Sequence, residues 1–126
     1  MADQTKLQAD LASVSTAMVA LHKEQFGRGP TKARSYLSGN TLVCVLEDAL
    51  LPAERKLVAL GEASRVRESR GAFQAATETE FIAAAERILC RKVRAFASAV
   101  DPNNDVIFEV FALVPDGSGG AVDGRV

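Results

Sequence analysis

Residues 26–34, Phe26-Gly27-Arg28-Gly29-Pro30-Thr31-Lys32-Ala33-Arg34, gather the cations and glycines best suited to chemistry in this chain. A glycine-rich bend can point successive backbone N–H groups at an anion, and arginine forks onto carboxylate or phosphate through parallel hydrogen bonds. The expected chemistry is therefore binding of a small anion or a partner carboxylate. Arg28, Lys32 and Arg34 would supply the charge, held by Gly27, Gly29 and Pro30. A plain turn with solvated cations uses the same residues. Phosphate loops and dinucleotide loops follow a strand and open a helix. This segment follows a helical pattern and precedes a strand, so neither fingerprint applies.

Other constellations are weaker. His22 is the sole histidine, and no nucleophile stands near it at a spacing that suggests a catalytic triad. It is expected on a helix surface or at an interface. Glu47 and Asp48 close a strand pattern and are candidates to pair with Arg28 or Arg34. No two carboxylates are spaced as an acid–base pair, and no metal-binding motif is present, so neither catalytic residues nor a metal or other cofactor is expected. Cys44 lies in an apolar run and reads as a buried thiol. Cys90 precedes Arg91 and Lys92, which would lower its pKa if they lay close in space. Without a CxxC or a Cys/His cluster, both cysteines read as structural thiols in a reducing cytoplasm.

Positioning these residues requires the elements that flank them. Leu7, Leu11, Val14, Met18 and Leu21 recur at helical spacing, predicting a helix over residues 5–25 with Asp3, Gln4 or Thr5 as cap. The apolar seam suits one helix covering a sheet; a dimer seam is the alternative. Gly27, Gly29 and Pro30 end that helix. Residues 33–38 and 41–47 predict a hairpin turned by Ser38-Gly39-Asn40. Thr41 to Glu47 is nearly all apolar, as a central strand covered on at least one face would be.

Pro52 and Glu54 suit the first turn of a short helix over 52–60, which Gly61 breaks. A long helix follows over about 62–89. Val66, Phe73, Phe81, Ala84, Ala85 and Ile88 share one face, and Gly71 favours a bend. The middle of the chain is basic, and its cluster, Arg55, Lys56, Arg65, Arg67 and Arg70, is interleaved with Glu54, Glu62 and Glu68, as a paired helix face would be. A second hairpin spans 92–99 and 105–114 around the loop Asp101-Pro102-Asn103-Asn104. Val106, Phe108, Val110 and Ala112 alternate with Ile107, Glu109, Phe111 and Leu113. The order is α-β-β-α-α-β-β, an α+β fold with helices packed on an antiparallel four-stranded sheet. Residues 1–115 are expected to form one domain, and residues 116–126, rich in glycine, a flexible tail.

Bulk composition narrows the functions. A chain of 126 residues with 48% hydrophobic and 25% charged content is an ordinary globular domain. A net charge of −1, one tyrosine and no tryptophan give no strong nucleic-acid signal. A KH-like RNA module shares the general element order, but its GXXG clamp is missing. No apolar stretch approaches the roughly 20 residues of a membrane span, and no secretory signal is visible. A cytoplasmic protein without direct membrane insertion is expected.

The run from Phe26 to Arg34, followed by Tyr36-Leu37 and the strand 42–46, resembles the MpsC-like family. Leu51 to Arg55 is similar to that family's helix opening, Phe81-Ile82 through Arg91-Lys92-Val93 to its helix–strand junction, and Val106 to Phe111 to its closing strand. The likeness covers about residues 5–115. It departs at the junction, where the family has a glycine in a TGRKV-like stretch and this chain has Cys90. A side chain there makes a left-handed helix cap more costly. The family is named for a bacterial membrane-potential-generating system linked to sodium or inorganic-carbon transport. The resemblance thus implies a non-enzymatic accessory or regulatory protein acting through protein contacts. The expected partners are a second copy of the chain and a membrane-transport protein. A small-anion or nucleotide-binding regulator using the 27–30 turn, and an RNA-binding module, are the alternatives.

Overall fold

The computed structural model describes residues 2–115, with side chains from residue 4. The expected tail, 116–126, lies outside the described residues. The elements are α1 (Ala2–Phe26), β1 (Lys32–Ser38), β2 (Thr41–Glu47), α2 (Pro52–Ala59), α3 (Ala63–Leu89), β3 (Val93–Asp101) and β4 (Val106–Leu113). The fold is α+β, with the four strands antiparallel in the order β1-β2-β4-β3. Helix α1 begins before the expected caps, so Gln4 and Thr5 lie inside it.

The alternation of side chains along the strands decides what each face of the sheet does. Leu42, Cys44 and Leu46 of β2 and Ile107, Glu109, Phe111 and Leu113 of β4 point to one face and are buried. Helices α1 and α3 cover that face. Leu11, Val14 and Met18 are buried in its core, flanked by Leu7 and Leu21. The apolar seam of α1 is therefore spent on the sheet. From α3, Val66, Phe81, Ala84 and Ala85 are buried. Phe73, expected on the same face, is 45% exposed and packs edge to face with Phe26, with ring centroids 5.1 Å apart. Arg70 is buried in its stead.

The turns follow local chemistry. Gly27 takes φ +81° and donates its N–H to the Lys23 carbonyl at 2.8 Å, closing α1 with a left-handed residue that glycine adopts at little cost. Gly29 answers a different need. A Cβ there would lie 2.8 Å from the Val19 carbonyl oxygen and 3.2 Å from Val19 Cγ1. The chain leaves α1 pressed against the helix it has just built. Gly29→Ala should therefore cost about 1–3 kcal/mol through overpacking against backbone. Urea denaturation measures this; an unchanged midpoint would show that the contact relaxes freely.

At the end of α3, Cys90 itself adopts the left-handed conformation, φ 55° and ψ 40°, with its N–H on the Glu86 carbonyl. The cap expected of a glycine is thus retained in a residue for which it is strained. Helix α3 runs unbroken through Gly71.

Candidate functional site

The 26–34 turn sits at one end of the sheet, where β1 starts and β2 stops. Arg28 is half-buried and turned inward. Its Nη1 donates to the carbonyls of Asp48 at 2.8 Å and Leu50 at 3.2 Å, and its Nη2 lies 3.3 Å from Asp48 Oδ1. Thr31 Oγ1 donates to Asp48 Oδ2 at 2.7 Å. Arg55 from α2 reaches Asp48 too, and also Asp105 at 3.0 Å. Asp105 accepts the N–H groups of Ala49 and Leu50 at 2.9 and 3.1 Å. The expected pairing of Arg28 with the strand-end carboxylates is present, through Asp48. Pro30 is buried.

Lys32 borders that cluster, sharing a shallow pocket with Thr31, Asp48, Arg55 and Asp105, but neither it nor Arg34 is bonded into it. Both are exposed and, among the described residues, neither makes an ion pair. Strand register carries them to the face of the sheet that the helices leave uncovered. Arg34 lies beside Val45, Phe108 and Ala99, and Tyr36 beside Val43, Val110 and Ala97. Thus the six residues expected to form one site divide. Gly27, Arg28, Gly29 and Pro30 brace the turn, and Lys32 and Arg34 flank an open apolar face.

The Thr31 hydroxyl, then Arg55 and Arg28, hold the Asp48 carboxyl well below its usual range, at about 2. A folded pKa lowered in this way adds stability above the unfolded pKa near 4, and that stability is lost as pH falls towards about 2. Asp48→Asn should accordingly show a flatter acid limb between those values in thermal melts. Asparagine tolerates the φ of 60° found at Asp48, so the exchange isolates the charge. Parallel acid limbs in the two proteins would overturn this assignment.

A second constellation is invisible in the spacing of residues. His22 is 2% exposed and Glu109 is fully buried, and His22 Nε2 lies 2.9 Å from Glu109 Oε2. Gln74 Nε2 donates to the other carboxylate oxygen at 3.3 Å. The expectation of a helix-surface or interface histidine is corrected, because His22 is buried inside the domain. His22 follows Met18 by four residues, which continues the buried seam of α1, and it meets the edge of Phe81 with centroids 5.4 Å apart. Glu109 shares its row of the sheet with Ser35, Cys44 and Ser98, so a polar stripe crosses the inner face. Ser35 Oγ bonds Ser15 Oγ at 2.7 Å and Cys44 Sγ at 3.3 Å. Burial pushes the Cys44 thiol up to about 11, so it is an inert neutral member of that stripe.

Arg70 adjoins the dyad. Its Nε and Nη2 grip both oxygens of Glu54 at 2.8 and 2.6 Å, and its guanidinium carbon lies 3.8 Å over the Phe26 ring. Burial opposes ionisation of Glu54, but Arg70 and the Leu51 N–H outweigh it and hold the carboxyl below its ordinary range. A cavity of about 290 Å³ opens beside these groups, between α3 and the β3–β4 hairpin. Among the described residues no cluster of three or more His, Cys, Asp or Glu side chains could hold a metal ion.

Residues 5–114 match the family model described as Na+-translocating membrane potential-generating system (MpsC). No curated protein and no solved structure is matched by the chain.

Proposed function

The chain belongs to the MpsC family, and on that premise we propose that it is a non-enzymatic accessory protein of a sodium-translocating, membrane-potential-generating system. It works through protein contacts on the cytoplasmic side. Among the described residues no helix is long and apolar enough to cross a membrane, which fits a role beside the membrane assembly.

The observation that carries the reading is the uncovered face of the sheet. Val43, Val45, Phe108 and Val110 lie there in adjoining rows, and Phe108 is 40% exposed. An apolar surface of this kind marks a contact site. Its charges favour a second copy of the chain as occupant. Lys32 and Arg34 lie on the β1 edge, and Asp101 lies on the β3 edge in the same row as Lys32, Glu47 and Val106. A two-fold axis parallel to the strands would lay β1 of one protomer over β3 of its partner and bring Lys32 to Asp101. Such a face-to-face dimer is self-complementary. In this reading Lys32 and Arg34 bind partner carboxylates, while Gly27, Arg28, Gly29 and Pro30 fix where β1 begins.

The test joins assembly to physiology. Sedimentation equilibrium should give a dimer for the native protein and a folded monomer for Phe108→Glu. Cells lacking the chain should lose sodium-dependent membrane potential, and the native protein, but not Phe108→Glu, should restore it. A native monomer would overturn the dimer, and an unchanged potential would overturn the transport role.

A further inference from the structure

Independently of the sheet face, we propose that the cavity beside His22 and Arg70 binds a small organic carboxylate. The cavity has two unlike sides. His22, Arg67, Arg70 and Gln74 line it from the helices, and Ser98, Val100 and Ile107 line it from the strands. A ligand with an anionic head and a short aliphatic body matches both.

Three observations point to a ligand. The first is unsatisfied polar capacity beside the cavity. Arg70, 5% exposed, spends two nitrogens on Glu54 but leaves Nη1 buried without a partner, and His22 leaves Nδ1 in the same state. A buried guanidinium donor without a partner costs free energy; Nη1 is closed off from the open space of the cavity, so a carboxylate oxygen recovers that cost as the Arg70 head turns towards it. The second is Arg67. It lines the cavity and is in no ion pair among the described residues; its charge contributes only weakly to lowering the pKa of Asp101. An arginine fork suits a carboxylate head. Glu109 does not compete, because its two oxygens accept from His22 and Gln74.

The third is Gly71. It lies in the interior of α3, where glycine costs about 1 kcal/mol against alanine. A Cβ at that position would meet nothing within 4 Å, so no packing contact requires glycine there. Gly71 is exposed and lines the cavity, so its missing side chain leaves that rim of the site open.

The probes are sodium acetate, butyrate and hexanoate, with sodium phosphate and sodium chloride at matched ionic strength. Butyrate or hexanoate should raise the melting temperature of the native protein saturably, beyond acetate, and chloride should not. Amide shifts in ¹⁵N spectra should cluster at residues 67–74 and 98–100. Arg67→Met should weaken binding by about tenfold or more, the loss expected for one charged hydrogen bond. Gly71→Leu should fold, since Gly71 is exposed and a Cβ there meets no atom within 4 Å, and should bind none of the acids. No saturable shift with any organic acid overturns the site. So does an equal response to phosphate, an undiminished response in Gly71→Leu, or amide shifts centred on residues 31–36.

Discussion

His22→Ala should be among the most destabilising single substitutions in this protein, lowering the unfolding free energy by roughly 3 kcal/mol or more. The loss does not come from the imidazole alone. Glu109 is fully buried in the middle of β4, and without His22 its carboxylate keeps only the 3.3 Å bond from Gln74. Stranding a carboxylate in an apolar core is the expensive event. Glu109→Leu should be costly for the converse reason, since it leaves His22 Nε2 unpaired. The paired change, His22→Ala with Glu109→Leu, removes both polar groups and should be less destabilising than the two single losses added together. Urea denaturation of the four proteins gives the coupling directly. Additive losses would mean that the two side chains do not depend on each other.

Arg70→Met should cost a similar amount, about 3 kcal/mol, while keeping most of the side chain's apolar length. It removes the two bonds to Glu54, the bond to the Ala49 carbonyl and the cation over Phe26. Its signature is the dependence on pH. With Arg70 present, the Glu54 carboxyl is lowered, so its contribution is present above the unfolded pKa near 4.5 and is lost as pH falls. Without Arg70, burial is left to dominate and favours the protonated acid. The gap between native protein and variant should therefore be widest near neutral pH and should narrow below about pH 4. A constant gap across that range would place the loss in packing instead of charge.

Much of the architecture is legible in the residues. Ser38-Gly39-Asn40 between two strand-like runs gives the first hairpin, and the seam from Leu7 to Leu21 gives a helix that must cover something. The alternation in β4 correctly separates Phe108 and Val110 from Phe111 and Leu113. The order β1-β2-β4-β3 is not legible, because the pairing of β2 with β4 depends on contacts remote in the chain.

The site was harder to read for a different reason. A histidine on a helix and a glutamate in a strand each look like surface residues when taken singly. They become a pair only once the sheet brings β4 under α1. Similarly, α3 turns Arg70 inward and leaves Phe73 half out. Arginine can bury its stem where Glu54 and a ring await its head, a partnership that helical spacing cannot reveal. Lys32 and Arg34 are recognisable as cations, but the register of β1 decides that they lie on the face the helices leave uncovered.

The adjacency of β2 and β4 also bears on how the molecule acquires its shape. Each hairpin can close locally, β1 on β2 and β3 on β4, within a short span of chain. Joining the two halves requires closing a loop that contains the whole of α2 and α3, and loop closure of that kind slows folding. The central seam should therefore form late, after the hairpins. His22 and Glu109 come from opposite sides of it, so their hydrogen bond can form only when the halves have met in register. The buried dyad would then act as a check on correct assembly: a sheet joined one residue out of step would turn Glu109 to the open face and leave His22 without a partner.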